Sequence, residues 1–311
     1  MKCLFLLLAV SCLMGDLEDH LKKAPGKSPV HSIRNIDFIY MINLDQRPEK
    51  WERSVNQLRY FGIEPYRFSA VNGWELSLEA INDVGVKFTP IMEGGFMATS
   101  FPMDKNFESS HEIIQNYGQT YFCHCMARGT IGIALSHISV LQDAYESGYE
   151  TIWVMEDDIE VLRDPRIIPD LIDALDDLIG HDSWDILFTD KDIRDQYGNH
   201  KATIWAARRP DYEVFSREND FTENVQISPD FRKIGARYGA TSMIVRRSGM
   251  KKLLQFYRTN NIFLPYDLDF ILPRKIKLYT VMEDVVSNLA KALSDNGGPN
   301  YLNKKIPGGT P

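Results

Sequence analysis

The feature that most constrains this chain is an apolar run, Thr151-Ile152-Trp153-Val154-Met155, that passes without a spacer into Glu156-Asp157-Asp158. Ahead of it Ile131, Ala134, Ile138, Leu141 and Tyr145 recur at helical spacing, and Gly148 closes that helix. The apolar run reads as a buried strand. Three adjacent anions at the end of such a strand need water or something positive to meet them. The strand must therefore sit in a core while its carboxyl end opens on a polar site.

Similar units recur along the chain. Phe38-Ile39-Tyr40-Met41-Ile42 is of strand length, Pro48 stands where a helix opens, and Trp51, Val55 and Leu58 share one helical face that ends at Gly62. Further strands are expected at Tyr66–Ala70, Asp185–Thr189, Ala240–Val245 and Ile276–Val281, with a helix from Ser248 to Tyr257. Strands alternating with helices predict an α/β fold, with a mostly parallel central sheet, helices on both faces and ligands bound beyond the strand carboxyl ends. Residues 72–126, broken by Pro90, Gly94-Gly95 and Pro102, read as a loop-rich excursion around the site.

With 311 residues and 44% apolar composition the chain can bury one large core. The expected organisation is a signal peptide or short membrane anchor at 1–15, a linker at 16–34, one catalytic domain at 35–300 and a tail at 301–311. The apolar segment Cys3–Met14 is short for a membrane span, so export or membrane association is expected, with Cys12 as a candidate lipidation site. A net charge of -8 leaves no basic surface to dominate, which argues against nucleic acid as a partner. Basic pairs such as Arg208-Arg209 and Arg246-Arg247 read mainly as solvated faces.

Hard oxygen ligands at Glu156-Asp157-Asp158 suit Mg²⁺ or Mn²⁺, which can bridge two phosphates and stabilise a leaving diphosphate. A solvated turn accounts for the same triplet, and both readings stay open on the triplet alone. Cys123-His124-Cys125 is too tightly spaced for a closed zinc site and reads as packing; no disulfide framework is implied. His137, lone on an apolar helix, reads as a core residue or a site residue.

The stretch from Phe38 to Gly73, with its Asn-Leu-Asp-x-Arg turn and its Ala-Val-Asn-Gly turn, resembles the opening of family-25 glycosyltransferases. A second similar segment is Gly129-Thr130-Ile131-Gly132-Ile133-Ala134-Leu135-Ser136-His137, which leads into the three acids. A third, looser match runs from Tyr238 to Gly249 and continues to Pro265-Tyr266-Asp267. The resemblance implies a GT-A-like fold, a UDP-hexose donor, Mn²⁺ or Mg²⁺ as cofactor, and a glycan (lipooligosaccharide-like) or protein hydroxyl as acceptor. It implies Asp158 as direct metal ligand, joined by Glu156, with Glu156 or Asp157 holding the ribose or a metal-bound water. Asn43, Asp45, Arg47, Asn72, Gly73, Ser136 and His137 would then line the nucleotide-sugar site, although turn chemistry also explains Asn43, Asp45 and Arg47.

An inverting transfer needs a base for the acceptor hydroxyl. Asp267 and Asp269 are the candidates, with Glu283 and Asp284 in reserve. The chain departs from the family pattern at Thr130, where the family has glutamate, at Ile133, where it has cysteine, and at Met282-Glu283-Asp284, where a proline is expected. Those departures motivate an alternative, a catalytically silent carbohydrate-binding or surface-assembly protein on the same fold. A phosphoesterase using a second ion at Asp190-Lys191-Asp192 ranks last.

Overall fold

The computed structural model describes residues 16–303. Its strands are β1 (Phe38–Asn43), β2 (Tyr66–Ser69), β3 (Val86–Lys87), β4 (Met97–Ser100), β5 (Ser110–Ile113), β6 (Thr120–Cys123), β7 (Thr151–Glu156), β8 (Ile159–Val161), β9 (Ile186–Phe188), β10 (Asn224–Gln226), β11 (Phe231–Ile234), β12 (Ser242–Arg246), β13 (Leu278–Val281) and β14 (Val286–Asn288). The helices are α1 (Pro48–Arg59), α2 (Leu78–Val84), α3 (Arg128–Glu146), α4 (Ile168–Ile179), α5 (Glu218–Phe221), α6 (Arg247–Asn260) and α7 (Tyr266–Asp269).

An eight-stranded sheet in the order β10-β11-β13-β9-β12-β7-β1-β2 forms the centre. Side chains of β7 alternate across it, as the two-residue strand period requires. Ile152 and Val154 join one core with α3 and α6, while Trp153 and Met155 join the other with α1 and α4. Helices on both faces are thus observed. A mostly parallel sheet is not: β1 pairs in parallel with β2 and β7, and β9 with β13, but β12 is antiparallel to both β7 and β9, and the β10-β11-β13 edge is antiparallel too. The cause is the connection from β9 to β12. It holds a β-hairpin and the short α5 in place of a helical crossover, and only a crossover returns a strand in parallel.

Residues 72–126 also carry more order than expected. After α2 they fold into a four-stranded sheet, β3-β6-β4-β5, whose pairings are all antiparallel. Its strands are at most four residues long, too short to show a period between the glycines and prolines. Residues 16–34, expected as a linker, are docked on α3. Leu17 and Ala24 are buried. The Lys22 amide donates to Ser139 Oγ at 3.0 Å and the Ala24 amide to Asp143 Oδ1 at 3.1 Å. Lys27 Nζ and the Tyr40 hydroxyl also reach Asp143, at 2.8 and 2.7 Å. Backbone and lysine contacts of this kind leave no apolar pattern in the sequence. The expected signal or anchor at 1–15 and most of the expected tail lie outside the described residues. Among the described residues no helix is long and apolar enough to cross a membrane.

Two features of α3 position the site. It ends as expected at Gly148, whose φ of +79° reverses the chain and lets the Tyr149 amide bond Ala144 O at 3.2 Å. Near its start Gly132 meets the turn after β2. A Cβ there would lie 2.5 Å from the Gly73 amide nitrogen and 2.6 Å from Val71 O. Backbone thus touches backbone, and neither glycine tolerates a methyl group. Gly132→Ala is expected to cost about 1–3 kcal/mol by overpacking, read as a lower urea midpoint. An unchanged midpoint would show that the turn can move away from the helix.

Candidate active site

The site forms where the carboxyl ends of β1 and β7 lie side by side. Their parallel register pairs Ile42 with Glu156, so the next residues, Asn43 and Asp157, are neighbours. Asn43 is buried and fully used: Nδ2 donates to Asp157 Oδ2 at 2.6 Å and to Arg47 O at 2.9 Å, and Oδ1 accepts from Arg67 Nε at 2.8 Å. Beyond Glu156 the chain turns before β8. Ser54 Oγ holds Asp157 O at 2.6 Å, and the Leu289 amide holds Asp158 O at 2.7 Å. Three carboxylates are thereby presented in a tight, well-anchored bend.

Each of the three meets a different environment. Glu156 Oε1 lies 3.0 Å from His137 Nε2, and the imidazole stacks on the Tyr266 ring at 4.2 Å between centroids. Asp157 faces Asn43 and, at 3.9 Å, Lys50 Nζ. Asp158 Oδ1 is buried with no hydrogen-bond partner. Burial, reinforced by Glu156 and Asp157, pushes the Asp158 carboxyl up to about 7. Burial also raises Asp157, against the pull of Lys50.

A cleft opens in front of the bend. Its walls include Asn72, Gly73 and Trp74 from the turn after β2, Gly129, Ile133, Ser136 and His137 from α3, and Lys50 from α1. Its rim is closed by Ser294, Asp295 and Asn296. Asp295 is gripped by Arg47 and by Lys50 Nζ at 3.3 Å, while its carbonyl accepts from Trp74 Nε1 at 2.9 Å. Arg47 and Lys50 are thus turned largely toward Asp295, and Arg53, whose charge also reaches Asp158, donates to Asp157 O at 3.4 Å. Asp158 is left without a counter-charge in contact, and a divalent cation would supply one. Among the described residues no three His, Cys, Asp or Glu side chains converge as a closed cage. Mg²⁺ and Mn²⁺ need none, since they bind through one or two carboxylates and fill the remaining positions with water and substrate phosphates. The donor set fits such an ion at Asp158, with Glu156 as its neighbour.

The sequence-based candidates separate into three groups. Glu156, Asp157, Asp158, Asn72, Gly73, Ser136 and His137 line the cleft. Ser136 does so mainly as a brace, accepting from the Val71 amide at 2.8 Å and donating to Gly132 O at 2.7 Å. Asn43 and Arg47 stand behind the wall, holding Asp157 and Asp295. Asp45 is exposed, accepts from Ser69 Oγ at 2.7 Å and does not line the cleft. Lys50, Trp74 and Asp295 were missed. Trp74 directly follows the Asn72-Gly73 turn, which was a usable signal; Asp295 carries none, because only the returning chain brings it to the rim.

The two expected bases also part company. Asp267 is half-buried, accepts from the Gly239 amide at 3.0 Å, and is raised by burial, with Glu156 and His137 within electrostatic reach. Asp269 has no exposed surface. It is paired with Arg209 Nη1 at 2.5 Å and accepts from the Phe263 and Leu264 amides at 3.4 and 3.3 Å. A carboxylate so enclosed cannot reach an acceptor hydroxyl, so Asp269 is a structural partner of Arg209. Arg209 itself, read from sequence as solvated, is fully buried.

The sequence model described as "Glycosyltransferase family 25 (LPS biosynthesis protein)" matches residues 36–271, and the chain belongs to that family. It is similar to a glycosyltransferase 25 family member of Aedes aegypti, 28% identical over 173 residues, covering 56% of this chain and 24% of the relative. The corresponding Drosophila melanogaster protein is 31% identical over 144 residues, 46% of this chain and 19% of the relative. A human protein named inactive glycosyltransferase 25 family member 3 is 27% identical over 135 residues, 43% of this chain and 18% of the relative. The matched region thus spans about a quarter or less of these relatives' lengths.

Two outcomes follow from this geometry. Replacing Asp269 with alanine leaves buried Arg209 with Asp211 as its remaining carboxylate partner, bonded twice at 3.0 Å, so Asp269→Ala should lose roughly 1–3 kcal/mol in chemical denaturation; a variant as stable as the parent yet inactive would return Asp269 to the catalytic candidates. For Asp158 the folded carboxyl titrates near 7 and the unfolded one near its ordinary value of 3.8. The folded state therefore binds more protons between those values, and Asp158 makes stability fall as pH rises through that window. Asp158→Asn, which carries no charge, should melt a few degrees above the parent at pH 8 in chelator and lose that advantage near pH 4. An equal or lower melting temperature at pH 8 would contradict the burial argument.

Proposed function

We propose that this chain is a metal-assisted glycosyltransferase of GT-A-like architecture that moves a hexose, galactose or glucose, from a UDP-sugar to a glycan or protein hydroxyl. The observation that carries the reading is the buried, partnerless Asp158 Oδ1 at the edge of a cleft walled by Lys50, Asn72 and Trp74. A bound Mn²⁺ or Mg²⁺ would neutralise charge building on the departing diphosphate.

The protein's own groups take the remaining tasks. Trp74 and Ile133 offer apolar surface to a nucleotide-sugar, and Asn72 offers a carboxamide. Asn72 now donates at 2.8 Å to both Glu75 and the Tyr301 hydroxyl, so a donor would compete with those partners. Lys50 brings a positive charge for phosphate. His137 keeps Glu156 oriented, with Tyr266 packed flat against the imidazole. Asp267 remains as the base for the acceptor hydroxyl, since a carboxyl raised by burial is a better proton acceptor.

A second reading has its own support. Human and mouse relatives are named inactive, and Thr130 stands where the family pattern has glutamate. On that reading the cleft binds a carbohydrate or nucleotide without turnover.

One experiment separates the two. The purified chain is given a panel of nucleotide-sugars with Mn²⁺ or chelator, beside Asp158→Ala. Metal-dependent UDP release from one donor, reduced in the variant to the level seen with chelator, is the expected result. Binding of a donor without release would favour the silent reading, and metal-independent release unaffected by Asp158→Ala would sink the metal assignment.

A further inference from the structure

The Cys123-His124-Cys125 segment was read from sequence as packing, and the function proposed above does not use it. Its geometry says more. The Met126 amide bonds Cys123 O at 2.9 Å, which makes residues 123–126 a β-turn with the two cysteines at its first and third positions. Cys123 Sγ and Cys125 Sγ consequently lie 3.0 Å apart, both as free thiols. The turn is anchored from behind, where the Cys123 amide donates to Phe263 O at 2.8 Å.

The two thiols are unequal. Cys123 is buried at the end of β6, whereas Cys125 is exposed. The contact between the two sulfurs holds Cys125 down at about 7, while that same contact and burial push Cys123 far upward. The nearest other titratable groups are His124, whose Nδ1 is 3.9 Å from Cys123 Sγ, and the carboxylates of Asp267 and Asp269, which oppose thiolate formation. Among the described residues no third ligand joins the pair into a metal site.

We propose that Cys123 and Cys125 form a dithiol modification site that reacts with small organic disulfides of the glutathione type and closes to an intramolecular disulfide. The Cys125 thiolate attacks one sulfur of the oxidant, and the other leaves as a thiolate. Cys123 then gives up its proton and attacks Cys125 Sγ in the mixed disulfide, which expels the second thiol. Two electrons and two protons pass to the oxidant, which departs as two thiols. An exposed attacker with a thiolate fraction near neutral pH, beside a buried resolver in contact, is the arrangement such exchange requires. The bond would lock the turn that leads into Ala127 and α3, whose Gly129 and Ile133 wall the cleft. The assignment does not rest on the transferase reading.

The test uses the full native chain treated with glutathione disulfide, then acid-quenched, unfolded, alkylated and mapped by peptide mass, so that Cys3 and Cys12 are read separately. The expected result is loss of two hydrogens from the peptide containing Cys123 and Cys125, reversed by dithiothreitol. Cys123→Ser should instead keep a glutathione adduct on Cys125, and Cys125→Ser should leave Cys123 free to alkylate. If the native parent keeps both cysteines alkylatable, or stops with glutathione on Cys125, the proposal fails. That arm needs no variant to fold.

Discussion

The parallel pairing of β1 with β7 is the constraint from which the site follows. It aligns two apolar strands so that their carboxyl ends leave the sheet together, with Ile42 opposite Glu156. Asn43 then lies beside Asp157, and the bend that follows places Asp158 in the wall of the cleft. The cost is electrostatic: three carboxylates are held near one another in a partly dry place, and one buried oxygen has no partner. In an ordinary core such an atom would be a defect costing about 1–3 kcal/mol or more. At the mouth of a cleft it is an atom that a bound cation could meet, which is why the proposed metal role rests on it.

The surrounding residues are arranged to keep that condition stable. Arg47 and Lys50 are both turned to Asp295 on the returning chain, and Arg53 is held on the Asp157 carbonyl. His137 is committed to Glu156 and flattened against Tyr266. Backbone contact between the Gly73 turn and α3 at Gly132 lets the wall approach closely enough for Ser136 to tie the turn to the helix. Each of these contacts restrains a neighbour of Asp158 without reaching its free oxygen. The same economy appears in the core at the end of α7, where Arg209 is shared between Asp269 and Asp211.

How much of this was legible depends on the range of the interaction. Strands β1, β2, β7, β9, β12 and β13, the helix at 128–146 and the acidic bend could be read because period, turn residues and adjacent charges are local properties, whereas β8, β10, β11, β14 and α4 were not read. The four-stranded sheet within residues 72–126 was not, because strands of four residues or fewer between glycines and prolines leave no period to detect. The direction of β12 escaped for a related reason: alternation of side chains reports burial but is blind to which way a strand runs, and no helical crossover preceded it. Asp267 and Asp269, two residues apart, looked equivalent until Arg209 claimed only one of them.

The amino-acid sequence by itself determined the family, the alternation of buried strands with covering helices, and the presence of three acids at a strand end. These depend on neighbours within about one turn of helix or one strand, where the chain's own connectivity dictates who meets whom. Tertiary structure alone decided that Asp158 lacks a partner, that Asp295 closes the rim, that Lys50 belongs to the cleft, and that two cysteine sulfurs touch. Each is a question of which distant groups compete for the same atom, and that competition is settled only when the whole chain has packed.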